Sequence, residues 1–319
     1  MGLRIHSGSA NPELAEAVAA RLGTSLGAQT LRRFSDGEIH VSIHDSVRGE
    51  DIYIIQSTCF PVNEHLMELL ILTDAFRRSG AGRINAVIPY YGYARQERKN
   101  GGREPITAKL VANLLTAAGV DRVVCLDLHT PAIQGFFDVS MDHLSAVPIL
   151  VEYLAAQPRP NTVVVSPDVG RAKLADRFAQ RLGVPLVVMH KQRPYPEVAQ
   201  VTAVVGNVYD ASPIVVDDII ATGGTVKECA EALLAAGARP DIWVAAVHPL
   251  LAGPALERLS HPAITRVITT DTVSLPAEKQ HPKITVLTVA GLLAETIRCL
   301  SENRSLSAMA PPLDQAVRV

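Results

Sequence analysis

Ile214-Val215-Val216-Asp217-Asp218-Ile219-Ile220-Ala221-Thr222-Gly223-Gly224-Thr225 leads from an apolar strand, through two adjacent carboxylates and a turn with two glycines, into a helix. The glycines let the backbone adopt positive φ and approach a ligand closely. The N–H groups of the following helix's first turn, with its dipole, favour an anion there. Thr222 and Thr225 add hydroxyl donors, so a phosphate fits the cup. Asp217 and Asp218 repel that phosphate. They suit the hydroxyls of a sugar attached to it, as acceptors or through a metal. A phosphorylated ribose lying across the turn satisfies both halves of the pattern. An ordinary strand end with an Asp/Thr helix cap explains the turn, but not the paired acids closing an apolar strand.

The same grammar of strand, short polar turn and helix runs through the chain. Runs rich in Val and Ile at 51–56, 83–88, 122–126, 162–165, 186–189, 213–216 and 242–247 read as strands. Amphipathic stretches at 63–78, 107–118, 170–182 and 225–236 read as helices, with Gly80, Gly119, Gly183 and Gly237 as stops. Alternating strands and helices predict an α/β fold of mostly parallel sheets. Ligands are then expected on loops at the carboxyl ends of strands. A polar, proline-containing break at Pro158-Arg159-Pro160-Asn161 lies near the middle of the 319 residues. We expect two similar domains, 1–147 and 148–300, followed by a tail, 301–319.

Composition narrows the function. Apolar residues make up 48% and charged residues only 19%, which supports a large core. Aromatics are 4%, so that core is built from Val, Ile, Leu and Ala, as in buried parallel sheets. A net charge of −2 argues against a general nucleic-acid or membrane-surface binder. Cys59, Cys125, Cys229 and Cys299 are far apart and lack zinc-ligand spacing. No stretch is apolar enough to span a bilayer, and the first residues, MGLRIHSGSANPELA, lack a signal-peptide block. These features predict a cytoplasmic protein.

Two further segments carry chemistry. Phe34-Ser35-Asp36-Gly37-Glu38 follows the first strand–helix unit. Pro89-Tyr90-Tyr91-Gly92-Tyr93-Ala94-Arg95-Gln96-Glu97-Arg98-Lys99-Asn100-Gly101-Gly102-Arg103-Glu104-Pro105-Ile106 joins a strand end to a helix through a cationic, glycine-containing loop. Such a loop can close over polyphosphate and exclude water. Arg95 can fork onto phosphate oxygens, and Gln96 can donate to phosphate or base.

These segments, with VRGEDIYIIQST, NEHLMELL, LDLHTPAIQGFFDVSMDHL, SPDVG, HKQRP and VVDDIIATGGT, resemble the ribose-phosphate pyrophosphokinase family in order from about residue 5 to about residue 293. The resemblance implies two phosphoribosyltransferase-like domains, the first binding ATP and the second ribose 5-phosphate. It implies transfer of a diphosphate from ATP to the C1 hydroxyl of the sugar, feeding nucleotide biosynthesis. By the same resemblance Phe34, Asp36, Glu38, Arg95 and Gln96 hold ATP. Asp217, Asp218, Ala221, Thr222, Gly223, Gly224 and Thr225 hold ribose 5-phosphate. Lys191 and Arg193, on a loop after their strand, are the transition-state cations. His129 and Asp168 are ligands of Mg²⁺, directly or through water, since Mg²⁺ prefers oxygen. The family also implies a homo-oligomer, dimer to hexamer, with Ser46, Arg48, Gln134 and Asp142 at interface positions.

The chain departs from the pattern at three places. Ala221 stands where most members have Asp. The stretch after SPDVG reads Arg171-Ala172-Lys173-Leu174-Ala175, where many have a second Gly and a later Arg. Asn100-Gly101-Gly102 is poorer in charge than its usual counterpart. Two alternatives stay open on sequence: a phosphoribosyltransferase, which would have no use for an ATP domain, and a non-catalytic regulatory paralogue, for which Ala221 is the best support.

Overall fold

The computed structural model describes residues 2–195 and 198–309, without the side chains of 191–202, 308 and 309. The chain divides into two units. The first runs to Ser145 and recruits Thr272–Ser274 and, from Thr288, the remaining described residues to Met309. The second holds Ala146–Asp271 and Leu275–Leu287.

In the first unit the elements are β1 (Leu3–Ser7), α1 (Pro12–Arg21), β2 (Gln29–Arg33), β3 (Ile39–Ile43), β4 (Asp51–Ile55), α2 (Val62–Arg78), β5 (Arg83–Ile88), α3 (Thr107–Ala118), β6 (Arg122–Leu126) and β7 (Ser140–Leu144). Five strands form a parallel sheet in the order β1-β4-β5-β6-β7. β2 and β3 form a separate antiparallel ribbon. Local chemistry sets the ends. Asn11 caps α1 by accepting from the Leu14 N–H at 3.2 Å, with Pro12 in the first turn. Gly119 closes α3 at φ +108°, a left-handed conformation that costs glycine little. β4 is buried along its whole length, as a central parallel strand must be.

The second unit contains α4 (Val147–Ala155), β8 (Thr162–Ser166), α5 (Ala172–Leu182), β9 (Leu186–Tyr195), β10 (Val198–Val205), β11 (Ser212–Ile220), α6 (Gly224–Ala235), β12 (Ile242–Pro249), α7 (Ala255–Leu259), β13 (Ile264–Thr270) and β14 (Ile284–Leu287). Its sheet runs β10-β9-β8-β11-β12-β13-β14, parallel except for the β9–β10 pair. Leaving β9 and β10 aside, the order β8-β11-β12-β13-β14 repeats that of the first unit. In both units the strand–helix start is followed by an antiparallel strand pair before the chain re-enters the sheet centre. The expected pair of similar domains is therefore a topological repeat, although no residue-level repeat betrays it.

The two units differ at their edges from the expected domains. The first unit ends at Ser145, two residues earlier than expected, because α4 is already part of the second. The last helix, α8 (Ala290–Ser301), belongs with the first unit and not with 148–300. It packs on α1, and Arg298 donates to the Arg21 carbonyl at 3.0 Å. Beyond it lies a short 3-10 turn (Leu306–Met309), and the tail from 310 is outside the described residues.

Candidate active site

In the second unit, β8, β11 and β12 present their carboxyl ends to one edge of the sheet, and the loops leaving them carry the charged groups. β11 is longer than expected. The strand runs to Ile220, so Asp217 and Asp218 lie within it and not at its end. Pairing holds the extension in place: Asp217 sits opposite Ala246, and Ile220 opposite Pro249. Asp218 is 6% exposed, and the Asp217 side chain, at 14%, is mostly covered.

Two carboxylates cannot be buried side by side without compensation. Arg171 supplies it. Its Nε lies 3.2 Å from Asp218 Oδ1 and 3.6 Å from Asp217 Oδ1. The Asp217 carboxyl is still pushed well above the usual carboxylate range. Burial is the main cause, then the hydrogen bond and like charge of Asp218, with Arg171 pulling the other way. Arg171 reaches the pair because Asp168 anchors its backbone: Asp168 Oδ1 accepts from the Arg171 N–H at 3.1 Å, starting the short 3-10 turn Val169–Arg171. In the sequence Arg171 stands out only as a departure from the family pattern. Nothing local in Arg171-Ala172-Lys173 says that the guanidinium turns toward β11.

After β11 the chain turns through Ala221, Thr222 and Gly223. Gly223 has φ +72° and occupies the position before α6, which begins at Gly224. No side chain caps that helix, so its first turn can offer its N–H groups to an anion. Thr222 is exposed, and Ala221 and Thr225 are half-buried. A β-carbon on Gly223 would lie 3.3 Å from both the Ala255 carbonyl oxygen and Arg258 Cβ, so the loop is tightly backed as well as left-handed. The corresponding turn of the first unit, between β4 and α2, reads Gln56-Ser57-Thr58-Cys59-Phe60-Pro61 and contains no glycine. Only the second unit has the glycine-opened turn.

Asp168 follows β8 and is half-buried. Lys191 and Arg193 were expected on a loop, but their backbone lies in β9, which continues into a hairpin with β10. Their side chains lie outside the described residues.

In the first unit, Phe34, Asp36 and Glu38 form the tip of the β2–β3 ribbon. Phe34 is 45% exposed, with His40 edge-on at 5.4 Å and the Arg32 guanidinium 5.5 Å above its ring. Asp36 Oδ1 accepts from the Glu38 N–H at 3.1 Å and fixes the turn. Arg95 and Gln96 follow β5 and are exposed. Gln96 Oε1 accepts from the Thr107 hydroxyl at 2.6 Å, tying the loop to the start of α3. The Tyr90–Gly92 turn is locked onto the loop after β4, where the Gly92 N–H donates to Thr58 Oγ1 at 2.7 Å. A β-carbon at Gly92 would lie 2.3 Å from the Thr58 carbonyl oxygen, so this position requires glycine.

His129 is half-buried two residues after Asp127, a non-glycine residue at φ +36°. The Ser145 hydroxyl holds Asp127 at 2.7 Å, and the Leu128 N–H donates to His143 Nε2 at 2.9 Å. Among the described residues, no group of three or more His, Cys, Asp or Glu side chains could hold a metal. A cation caged by protein alone does not fit this donor set. One arriving on nucleotide phosphates, which need few protein ligands, does.

All four cysteines are free and buried, an environment that suits their small, weakly polar side chains. Among the described residues, no helix is long and apolar enough to cross a membrane. Of the expected interface positions, Ser46 and Arg48 are exposed, and Asp142 pairs with Arg122 at 2.5 Å.

Comparison with known proteins covers nearly the whole chain. A family model described as the N-terminal domain of ribose phosphate pyrophosphokinase matches residues 3–119, and one described as a phosphoribosyl transferase domain matches residues 144–273. The chain is 50% identical to a ribose-phosphate pyrophosphokinase of Bacillus subtilis over 305 residues, 96% of each protein. It is 51% identical to that of Caldanaerobacter subterraneus over 306 residues, again 96% of each. The crystal structure of a phosphoribosylpyrophosphate synthetase from Mycobacterium smegmatis superposes with a TM-score of 0.90 at 45% identity, covering 95% of this chain and 100% of that one.

Proposed function

The chain belongs to the ribose-phosphate pyrophosphokinase family, and from that premise we propose how its own residues divide the reaction. The protein is an ATP-dependent transferase that makes 5-phosphoribosyl 1-diphosphate and AMP. The observation that carries the assignment of residues is the Ile220–Thr225 turn: a left-handed glycine before an uncapped helix, beside a buried acid pair. We assign the 5-phosphate to the Thr222, Gly223, Gly224 and Thr225 amides and hydroxyls. The ribose hydroxyls go to Asp217 and Asp218, with Ala221 lining the sugar.

Phe34, Asp36, Glu38, Arg95 and Gln96 take ATP. An exposed aromatic ring with acidic neighbours suits the face and amino edge of a base, and Arg95 suits the phosphates. The C1 hydroxyl oxygen bonds to the β-phosphorus, and the bond from that phosphorus to the bridging oxygen of AMP breaks. The hydroxyl proton leaves to solvent. Such transfers are catalysed chiefly by positioning and by cations that take up developing charge. Lys191 and Arg193 are assigned that charge.

The family is divalent-metal-dependent. We assign Mg²⁺ as the ion, entering on the ATP phosphates, with His129 and Asp168 as its protein contacts, directly or through water. When bound, it neutralises phosphate charge.

The free, buried cysteines support a reducing, cytoplasmic setting. A homo-oligomer, dimer to hexamer, is supported by Ile106, Leu110 and Leu114, which α3 and its approach leave 38%, 53% and 39% exposed. Sedimentation velocity of an L110K variant checks that surface: dissociation supports it, and an unchanged mass counts against it.

The direct test of function incubates the protein with Mg²⁺, ATP and ribose 5-phosphate. Sugar-dependent AMP release is expected, and its absence would refute the proposal.

A further inference from the structure

The sugar-phosphate turn has a second wall that its sequence does not announce. Three successive carbonyls of the turn are each held by the segment after β12. The Leu251 N–H donates to the Ile220 carbonyl at 3.1 Å. The Ala252 N–H donates to the Ala221 carbonyl at 2.8 Å. The Arg258 guanidinium then donates to the Thr222 carbonyl at 3.0 Å. In a trans peptide the C=O and the following N–H point in opposite directions. Turning the carbonyls of 220, 221 and 222 toward the 251–258 segment therefore aims the amides of Ala221, Thr222 and Gly223 the other way, into the cup.

The first two contacts are backbone to backbone. The third is the one a side chain supplies, and it falls at the Thr222–Gly223 peptide. Glycine is the residue least able to resist a peptide flip, because both signs of φ are open to it. A flip there would turn a carbonyl toward the phosphate in place of an amide. Arg258 lies along the back of the turn. A β-carbon on Gly224 would meet its Nη1 at 3.2 Å, and one on Gly223 would meet its Cβ at 3.3 Å.

We propose that Arg258 is a positioning residue for ribose 5-phosphate: it clamps the Thr222 carbonyl and so fixes the Gly223 amide toward the 5-phosphate. The inference rests on the assignment of that phosphate to the turn. Arg258 also places a positive charge behind the loop, which favours the same anion.

The test compares R258K, R258Q and R258A in steady-state kinetics, with ribose 5-phosphate binding followed by calorimetry. R258A is expected to raise the KM for ribose 5-phosphate about tenfold or more, the effect of one charge-assisted hydrogen bond. The KM for ATP should stay within about twofold, and kcat should change less than KM. R258K should recover part of the loss, since an ammonium can still donate to the carbonyl. R258Q should fall between R258K and R258A.

A double-mutant cycle adds a readout that a purely structural role would not move. G224A pushes the guanidinium aside when Arg258 is present, so its effect on sugar binding should largely disappear in the R258A background. Additive effects, or a sugar KM within twofold of the parent in R258A, overturn the proposal. T225A separates this from the underlying assignment. If T225A weakens sugar binding while R258A does not, Arg258 alone is misassigned. If neither variant does, the phosphate is not held by this turn.

Discussion

Replacing Arg171 by Met isolates the electrostatics of the acid pair. Methionine keeps the unbranched stem and the backbone N–H that Asp168 accepts. It removes the charge 3.2 Å from Asp218 and 3.6 Å from Asp217. At those separations, with an effective dielectric constant of about 20, each contact is worth about 5 kcal/mol gross. The two carboxyls are side by side and one is driven toward its neutral form, so only about one such attraction is lost. Releasing Arg171 from burial offsets part of it, and breaking a buried ion pair costs about 3–5 kcal/mol. We expect the second unit of R171M to lose about 3 kcal/mol at pH 8.

The pH dependence has a definite sign. Without Arg171 the Asp217 pKa rises further above its unfolded value of about 3.9, so the native state binds more protons than the unfolded state. Stability then falls as pH rises, and the deficit of R171M shrinks toward acid pH. The assay is urea unfolding followed by the fluorescence of Trp243, the single tryptophan of the chain. Trp243 sits in β12 opposite Ile214 of β11, flanked by Arg159 at 4.4 Å and Arg266 at 4.7 Å, so it reports on this unit. A loss below about 1 kcal/mol, or one that grows toward acid pH, would refute the reasoning.

Four further variants test the same assignments. D217N should raise stability at neutral and alkaline pH, because the wild-type carboxyl is held above its usual range, and the gain should fade as pH falls toward about 4. The same variant should bind ribose 5-phosphate more weakly in calorimetry. G223A forces a β-carbon into a φ of +72°, so it should cost about 1–2 kcal/mol by Trp243-monitored unfolding, with sugar affinity reduced about tenfold. A221D, at a half-buried position outside the core, should move stability by no more than about 0.5 kcal/mol while lowering the KM for ribose 5-phosphate. K191A should lower kcat by about a hundredfold with little change in ATP binding, and an unchanged kcat would remove Lys191 from the transition state.

The sequence determined what depends on near neighbours in the chain. The helix at 107–118 was legible to the residue, because its apolar spacing and the Gly119 stop are local. The strands at 83–88 and 122–126 were equally legible, since a strand buried on both faces reads as a plain apolar run. The glycine turn and the acid pair proposed to hold the sugar phosphate could be picked out because Asp217-Asp218 and Thr222-Gly223-Gly224-Thr225 lie within nine residues of one another. The extent of β11 could not be read, because Asp217 and Asp218, poor strand formers, interrupt the apolar run, and pairing with β12 carries the strand past them to Ile219 and Ile220. β9 likewise runs on through Lys191 and Arg193 because β10 pairs back onto it.

Tertiary structure alone decided which distant groups complete the site. Arg171 neutralises the acids, and Arg258 reaches the Thr222 carbonyl from 36 residues away. It also decided that α8, the last helix, belongs with the first unit, where it covers α1. A charged side chain at the end of a short turn looks the same in sequence whether it points to water or to a buried carboxylate. The choice is made by the desolvation of its partner, and that exists only once the sheet has formed.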